Sequence, residues 1–169
     1  MFKRKISEDE AISKVFTNCP LFKGLSGSEL KMLLKTAHIR DYSSDERIFT
    51  EGTPGLCFYV IAKGSVEIIS ENAETKPKVL RKYNEGAFFS EAHLFTETNH
   101  TVSCVSREVT KLIIFSKPEI DDLIKVKPKT GNKLLLNFLE CLSEQLDMLY
   151  KENKELLKKI PRTEHRIDR

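Results

Sequence analysis

The sequence predicts a mainly β protein with flanking helices, and three observations lead to this fold class. Between residues 36 and 115, short runs of β-branched and aromatic residues recur about every 8–12 residues, the spacing of a β-sandwich or barrel. S-x-x-E segments, a signature of helix starts, occur on both sides of this block. From Thr130 onward the pattern becomes that of a long helix. With 169 residues, 40% of them hydrophobic, the chain can form one soluble domain plus one additional element.

Two helix starts are predicted before the β block. In an S-x-x-E segment the Ser caps a free backbone N–H and the Glu reaches back to the cap residue. Ser7 with Glu10 begins an amphipathic stretch, and Ser26 with Glu29 begins a short leucine-rich helix. A third segment, residues 116–119, directly follows the last predicted strand and predicts a helix there.

The β block is predicted to contain seven or eight short strands, bounded by turn residues. Within the fourth, alternation places Val66 and Ile68 on one face. The predicted strands cover residues 37–42, 47–50, 57–63, 65–70, 79–83, 101–106 and 110–115.

The C-terminal helix carries apolar residues spaced alternately by four and three, which is the heptad pattern of a coiled coil. An Asn within such a pattern favours a two-stranded parallel arrangement, because only its twin satisfies it, so we expect a homodimer. The alternative is a helix that packs only on its own domain. A second stripe of apolar residues, which includes Phe138, favours a helix that packs on two partners. We name as the seam the residues Leu135, Leu139, Leu142, Leu146, Leu149, Asn153, Leu156 and Ile160.

Several function classes are disfavoured by composition. A net charge of +3 is too small to indicate nucleic-acid binding by itself. The longest apolar run, residues 56–62, is far shorter than a membrane span, and the basic start of the chain is followed by acidic residues instead of a signal-peptide core. The cysteines stand far apart without a C-x-x-C pair, which predicts reduced thiols in a cytoplasmic protein and no zinc site.

Three motifs carry a resemblance to a known family. They are P-L-F at residues 20–22, I-F-T-E-G at residues 48–52 and F-Y-V-I-A-K-G-S-V-E-I at residues 58–68. Together they resemble the cyclic nucleotide-binding domain of the catabolite activator protein and protein kinase A regulatory subunit type. The resemblance spans roughly residues 15–149 and implies a β jelly roll with an N-terminal helical segment and C-terminal helices.

The resemblance also implies a phosphate-binding cassette at residues 86–103. In the family, a cassette Glu accepts a hydrogen bond from the ribose 2′-hydroxyl, and an Arg pairs with the cyclic phosphate. Glu91 stands at the Glu position and His100 at the Arg position. The other ligand-contacting candidates are Ala92, His93 and Thr101, the last because a Thr there contacts guanine in members selective for cyclic GMP. The remaining cassette residues are Gly86, Phe89, Ser90, Leu94 and Asn99.

The cassette departs from the family pattern where the ligand would be bound. Ser90 replaces a Gly, Asn99 replaces the usual Pro, and His100 replaces the phosphate arginine. An imidazole is mostly uncharged at neutral pH, and losing the cationic partner of an enclosed anion costs about 3–5 kcal/mol. Arg107, the nearest later arginine, is expected at a strand end beyond the pocket. We therefore expect weak or lost nucleotide binding.

Three functions remain open at this point. The first is a non-enzymatic, dimeric regulatory or signalling module without a cofactor, which binds a downstream protein partner. The second is a working cyclic AMP or cyclic GMP sensor that uses Glu91 and His100. The third is a cupin-like metalloenzyme, which would need His93, His100 and Glu91 near one metal, although the H-x-H element is absent.

The predicted organisation has three parts. Residues 1–130 form the N-terminal helices and jelly roll, residues 131–161 the dimerisation helix, which Pro161 ends, and residues 162–169 a charged tail. Residues 162–169, which follow the predicted helix, are too few to form a helix-turn-helix domain, so we expect no direct DNA-binding domain.

Overall fold

The computed structural model describes residues 12, 15, 16, 18–71 and 77–159. A short 3₁₀ helix, Pro20–Phe22, precedes the regular elements. The strands are β1 (His38–Tyr42), β2 (Arg47–Phe49), β3 (Cys57–Lys63), β4 (Ser65–Ser70), β5 (Lys78–Asn84), β6 (Phe88–Phe89), β7 (Ser103–Ser106) and β8 (Thr110–Ser116). The helices are α1 (Gly27–Thr36), α2 (Glu91–Thr96), α3 (Lys117–Val126) and α4 (Pro128–Lys159).

The strands form two antiparallel four-stranded sheets, which confirms the predicted mainly β jelly roll. One sheet has the order β1-β8-β3-β6 and the other the order β2-β7-β4-β5. Side chains from both sheets, among them Tyr59, Val66 and Leu112, share one apolar cluster. The two sheets therefore face each other across a common core.

Two of the predicted helix starts are confirmed. Ser26 and Glu29 form a complete capping box at the start of α1. At the start of α3, the Glu119 carboxylate accepts hydrogen bonds from the backbone N–H and the hydroxyl of Ser116, both at 2.8 Å. The segment of Ser7 and Glu10 lies outside the described residues, but Val15 and Phe16 from the stretch that follows it are buried in the core. The two-residue strand β6 was not predicted from the sequence.

Strand β3 is buried on both faces, which explains its uninterrupted apolar run. Phe58 and Val60 face a cluster beneath the helices, whereas Tyr59 and Ile61 face the inside of the sandwich. A strand that is covered on both faces has hydrophobic residues at consecutive positions. Its position in the middle of the molecule links the helical layer to the interior of the jelly roll.

The long helix α4 begins at Pro128, slightly earlier than the sequence pattern indicates, and its first part packs on the domain. Gly131 lies where α4 crosses α3, and a Cβ atom there would lie 2.8 Å from the Ile124 Cα. The buried residues of this helix are Thr130, Gly131, Leu134, Phe138 and Cys141. Ile160, Pro161 and the predicted tail lie outside the described residues. Over residues 12, 15, 16, 18–71 and 77–159, no helix is long and apolar enough to cross a membrane.

Candidate functional site

A cavity of about 150 Å³ lies between the inner face of the jelly roll and helix α2. It brings together most of the ligand-contacting residues that the resemblance implies, namely Glu91, Ala92, His93 and His100. Phe89 and Ser90 of the cassette line it as well, and the remaining walls are Phe49, Ile68, Tyr83 and Val102. The lining therefore consists of aromatic and aliphatic side chains with a few polar groups from the cassette.

Backbone geometry at both ends of α2 sets the position of Glu91. Ser90 precedes the helix with a left-handed φ of 72°, and Glu97 ends it with a φ of 52°. Ser90 thus keeps a backbone conformation that favours glycine, the residue the family has at this position. Its hydroxyl donates to the Cys57 carbonyl at 3.1 Å, which attaches the start of α2 to strand β3.

Glycine at position 55 lets α2 approach the loop before β3. A Cβ atom on Gly55 would lie only 2.3 Å from the Cβ of His93, so no larger residue fits without displacing α2. The His93 Nδ1 lies 3.0 Å from the Thr98 hydroxyl, and the two groups form a hydrogen bond. These contacts hold the His93 ring at the edge of the cavity.

Glu91 is almost completely buried, with 5% of its surface exposed. The Gln145 side-chain amide of helix α4 donates a hydrogen bond to the Glu91 Oε1 at 3.1 Å. Burial raises the pKa of this carboxyl above its ordinary value, opposed by the Glu91 backbone N–H, Gln145, Arg81 and His93. A carboxyl in this position can accept a hydrogen bond from a ligand hydroxyl.

His100 is held in place by its backbone and its ring. Its backbone N–H donates to the Thr53 carbonyl at 2.8 Å, and its carbonyl accepts from the Gly52 N–H at 2.8 Å. The ring stacks on Phe49 with centroids 3.8 Å apart and an interplanar angle of 8°. The motif at residues 48–52 therefore positions His100 through both the ring of Phe49 and the backbone of the following turn.

The His100 side chain is uncharged at neutral pH. Only 4% of its surface is exposed, and burial together with the nearby His93 lowers its pKa to about 4. Its Nδ1 is buried and has no hydrogen-bond partner among the described residues. The position that the family uses for a phosphate arginine thus holds a neutral ring with one unsatisfied polar atom.

Other predicted site residues lie outside the cavity wall. Thr101 and Asn99 are exposed, and Asn99 forms an isolated β-bridge with Pro54. Leu94 is buried in the core on the inner side of α2, and Gly86 lies in the turn before β6. These residues shape the cassette without lining the cavity.

Arg107 lies beyond the end of β7, as expected, and its guanidinium is occupied elsewhere. It donates to the carboxylates of Glu67, at 2.6 Å, and Asp45, at 2.7 Å. Arg107 is not among the cavity residues, so the described lining contains no lysine or arginine.

Sequence reasoning missed Arg81, which lies beside the cavity. Its register partner on β4 is Ile68, a cavity residue, so both side chains project from the same face of the sheet. The Arg81 guanidinium lies 5.6 Å from the centre of the Tyr83 ring, another cavity residue. The alternation of Arg81 and Tyr83 along β5 was visible in the sequence, but the face on which they lie became known only with the strand register.

Metal binding has no structural support within the described residues. No group of three or more His, Cys, Asp or Glu side chains in that part of the chain could hold a metal ion. The rings of His93 and His100 lie edge to face with centroids 5.1 Å apart, but these two residues and Glu91 are not arranged so that they could hold a metal ion.

Comparison with known proteins identifies the family. A family model described as the cyclic nucleotide-binding domain matches residues 39–127. The cyclic AMP receptor protein of Thermus thermophilus is 28% identical over 133 residues, which is 77% of this chain and 62% of that protein. The human cGMP-dependent protein kinase 2 is 22% identical over 103 residues, which is 60% of this chain and 14% of the kinase. The chain thus spans less than two thirds of the length of these relatives.

A solved structure agrees over an even larger part of the chain. A cyclic nucleotide-binding domain from Methylobacillus flagellatus superposes with a TM-score of 0.76 at 25% sequence identity. The superposition covers 89% of this chain and 83% of that one. Since the family model alone matches more than half of the residues, the chain belongs to the cyclic nucleotide-binding domain family.

Proposed function

We propose that this chain is a non-enzymatic regulatory domain of the cyclic nucleotide-binding family in which nucleotide binding is weak or lost. It acts as a cytoplasmic homodimer, associates through residues 131–161 and serves as an interaction module for a downstream protein. The observation that carries this proposal is the neutral, buried His100 at the phosphate-arginine position.

The energetic argument concerns the charge of the cyclic phosphate. A cyclic phosphodiester carries one negative charge, and the described lining of the cavity offers it no lysine or arginine. Enclosing an anion without its cationic partner costs about 3–5 kcal/mol, equivalent to two to four orders of magnitude in affinity. His100 cannot supply the charge near pH 7 because its pKa is about 4.

The dimeric part of the proposal is supported by the exposed face of α4. Leu139, Leu146, Leu149 and Leu156 are 61%, 49%, 54% and 60% exposed in the single chain. A second copy would cover these leucines and would pair Asn153 with its twin, the arrangement typical of a parallel two-stranded coiled coil.

A second candidate function, a working cyclic AMP or cyclic GMP sensor, is favoured by Arg81. This residue lies beside the cavity, and its positive charge opposes in small part the burial that raises the pKa of Glu91. Among the described residues it forms no salt bridge with a carboxylate. In a sensor, Arg81 would replace the missing cassette arginine, while Glu91 and His100 would contact the ligand.

Calorimetric titration with cyclic AMP and cyclic GMP, at pH 6 and pH 8, separates the two candidates. Because the pKa of His100 is about 4, the ring is neutral at both pH values, and we expect no detectable heat at millimolar nucleotide at either one. Micromolar binding that is lost in Arg81→Ala would instead establish the sensor. Binding at pH 6 that weakens at pH 8 would show that His100 binds the phosphate in its protonated form.

A His100→Arg variant tests the cause of the weak binding. Restoring a guanidinium at this position should raise nucleotide affinity at least about tenfold, because it returns a charged bidentate donor to the phosphate site. Asn99→Arg is the matched control, since it adds the same charge at an exposed neighbouring position. Equal affinities in the two variants would show that something other than the missing charge blocks the cavity.

A further inference from the structure

The cavity beside α2 has the size of a single aromatic ring. Its volume is about 150 Å³, whereas pockets that enclose drug-sized ligands measure roughly 300–1,000 Å³. An apolar cavity of about 150 Å³ can hold one benzene-sized molecule. The size of the cavity therefore favours an occupant much smaller than a nucleotide.

The walls of the cavity favour an occupant that is aromatic and uncharged. Phe49, Tyr83 and Phe89 line it, and the Phe89 ring lies 6.2 Å from the Phe49 ring and 5.9 Å from the Tyr83 ring, measured between centroids. The described lining contains no lysine or arginine, and the guanidinium of Arg81, which is outside this lining, lies over the Tyr83 ring. An anion would lack a cationic partner in the cavity, whereas an uncharged ring needs none and packs well among aromatic side chains.

Two polar side chains in these walls are almost completely buried. His100 is 4% exposed and Glu91 is 5% exposed. The His100 Nδ1 has no hydrogen-bond partner among the described residues, and an unsatisfied buried polar atom lowers stability. A neutral imidazole has one nitrogen that accepts a hydrogen bond and one that donates, so a hydroxyl group on the occupant can bond to this ring. A single water would leave most of the apolar volume empty, because an ordered water needs two to four polar partners.

We infer that the cavity binds an uncharged molecule of one aromatic ring that carries a hydroxyl group, as phenol does, and that His100 accepts a hydrogen bond from this hydroxyl. The inference rests on the proposed function in taking the cavity as closed to the nucleotide anion. It goes beyond that function by naming a different ligand class for the same cavity. The histidine at the arginine position then changes which ligand binds, from an anion to a neutral hydroxylated ring.

Titration of the full chain with three one-ring compounds at pH 7 tests the ligand class. Phenol should bind with a dissociation constant below about 1 mM, an affinity that a ligand of this size can reach. Toluene has the same shape without the hydroxyl and should bind at least about fivefold more weakly, because it leaves the imidazole without a partner. Benzoate is charged at this pH and should bind at least about 100-fold more weakly than phenol. Chemical shifts of the backbone amides show whether phenol lies in the cavity.

His100→Phe tests the hydrogen bond. The variant keeps an aromatic ring stacked on Phe49 and removes both ring nitrogens, so the preference for phenol over toluene should fall at least about tenfold. His38→Phe is the matched control, because it removes an exposed imidazole outside the cavity and should leave the preference unchanged. Ile68→Phe fills part of the cavity and should abolish binding of both compounds, which tests the location independently of His100.

The inference is overturned if phenol does not bind, if toluene or benzoate binds as tightly as phenol, or if His100→Phe retains the preference for phenol. Binding of phenol that survives Ile68→Phe would also overturn it, because the ligand would then lie elsewhere. Absence of phenol binding leaves the proposed function standing. Micromolar binding of cyclic AMP would overturn both proposals, because the cavity would then accept an anion.

Discussion

The two halves of helix α4 have similar apolar patterns and different surroundings. Residues 128–141 contain all the buried positions of the helix, whereas none of the described residues 142–159 is buried. In the first half, Phe138 packs edge to face on Phe58, Phe88 and Phe95 with centroids 5.1–6.3 Å apart. In the second half, leucines at the same spacing face solvent. Helical periodicity thus identifies an apolar face but does not say whether its partner belongs to the same chain.

The difference follows from where the jelly roll ends. Gly131 allows α4 to approach α3 closely, and the helix then passes over the aromatic cluster beneath the sheet. After Gln145 every residue of the helix up to Lys159 is exposed, so its apolar residues are not covered by any of the residues that the structure describes. The first half is therefore expected to determine the stability of the domain and the second half its association.

The largest effect is expected from Phe138→Ala in the first half. The side chain is 2% exposed, and its loss leaves a cavity among aromatic rings, which should lower the free energy of unfolding by about 3–5 kcal/mol. Urea denaturation at concentrations where the chain is monomeric measures this change. Leu146→Ala is the control from the second half, with an expected change below about 0.5 kcal/mol. A similar decrease in the free energy of unfolding in both variants would show that the two halves of the helix contribute equally to the stability of the domain.

An effect of intermediate size is expected from Leu149→Lys in the second half. In the dimer the leucine of each chain is buried, and burial of one leucine contributes about 1.5–3 kcal/mol. The dissociation constant should therefore rise at least about 100-fold. Sedimentation velocity over a range of concentrations measures the constant. Met148→Lys, an exposed apolar position outside the heptad seam, should leave association almost unchanged. Equal weakening by both variants would exclude the seam as the interface.

The smallest effect is expected from Asn153→Leu. Removing a buried polar residue from the seam should strengthen association about tenfold and reduce the preference for two chains, because the Asn no longer requires its twin. Light scattering would then detect dimers together with larger oligomers. A monomer both before and after the change would eliminate the coiled coil.

Most of the fold was predictable because local signals agreed with the tertiary structure. Ser26 and Ser116 both begin helices and bond to the Glu three residues later, and the strand runs were located to within about three residues. Strand β6 was missed because its two residues form a strand only by pairing with β3. Such a short element has no periodicity of its own.

The candidate site was only partly predictable. The cassette motif pointed to Glu91 and His100, and both line the cavity. Phe49, Tyr83 and Arg81 were missed because they come from distant strands whose facing sides depend on register. Thr101 was expected at the ligand, but its side chain is exposed and lies outside the cavity lining.

The sequence by itself determined the alternation of the strands, the helix starts, the heptad spacing of α4 and the substitution of histidine for the phosphate arginine. These features depend on residue type and spacing, which are local properties of the chain. The tertiary structure decided that His100 is buried, neutral and stacked on Phe49, that Gln145 contacts Glu91, and that the buried positions of α4, among its described residues, all lie in its first half. The physical reason is that burial, charge state and partnership depend on which distant residues the fold brings into contact, and no local pattern encodes those contacts.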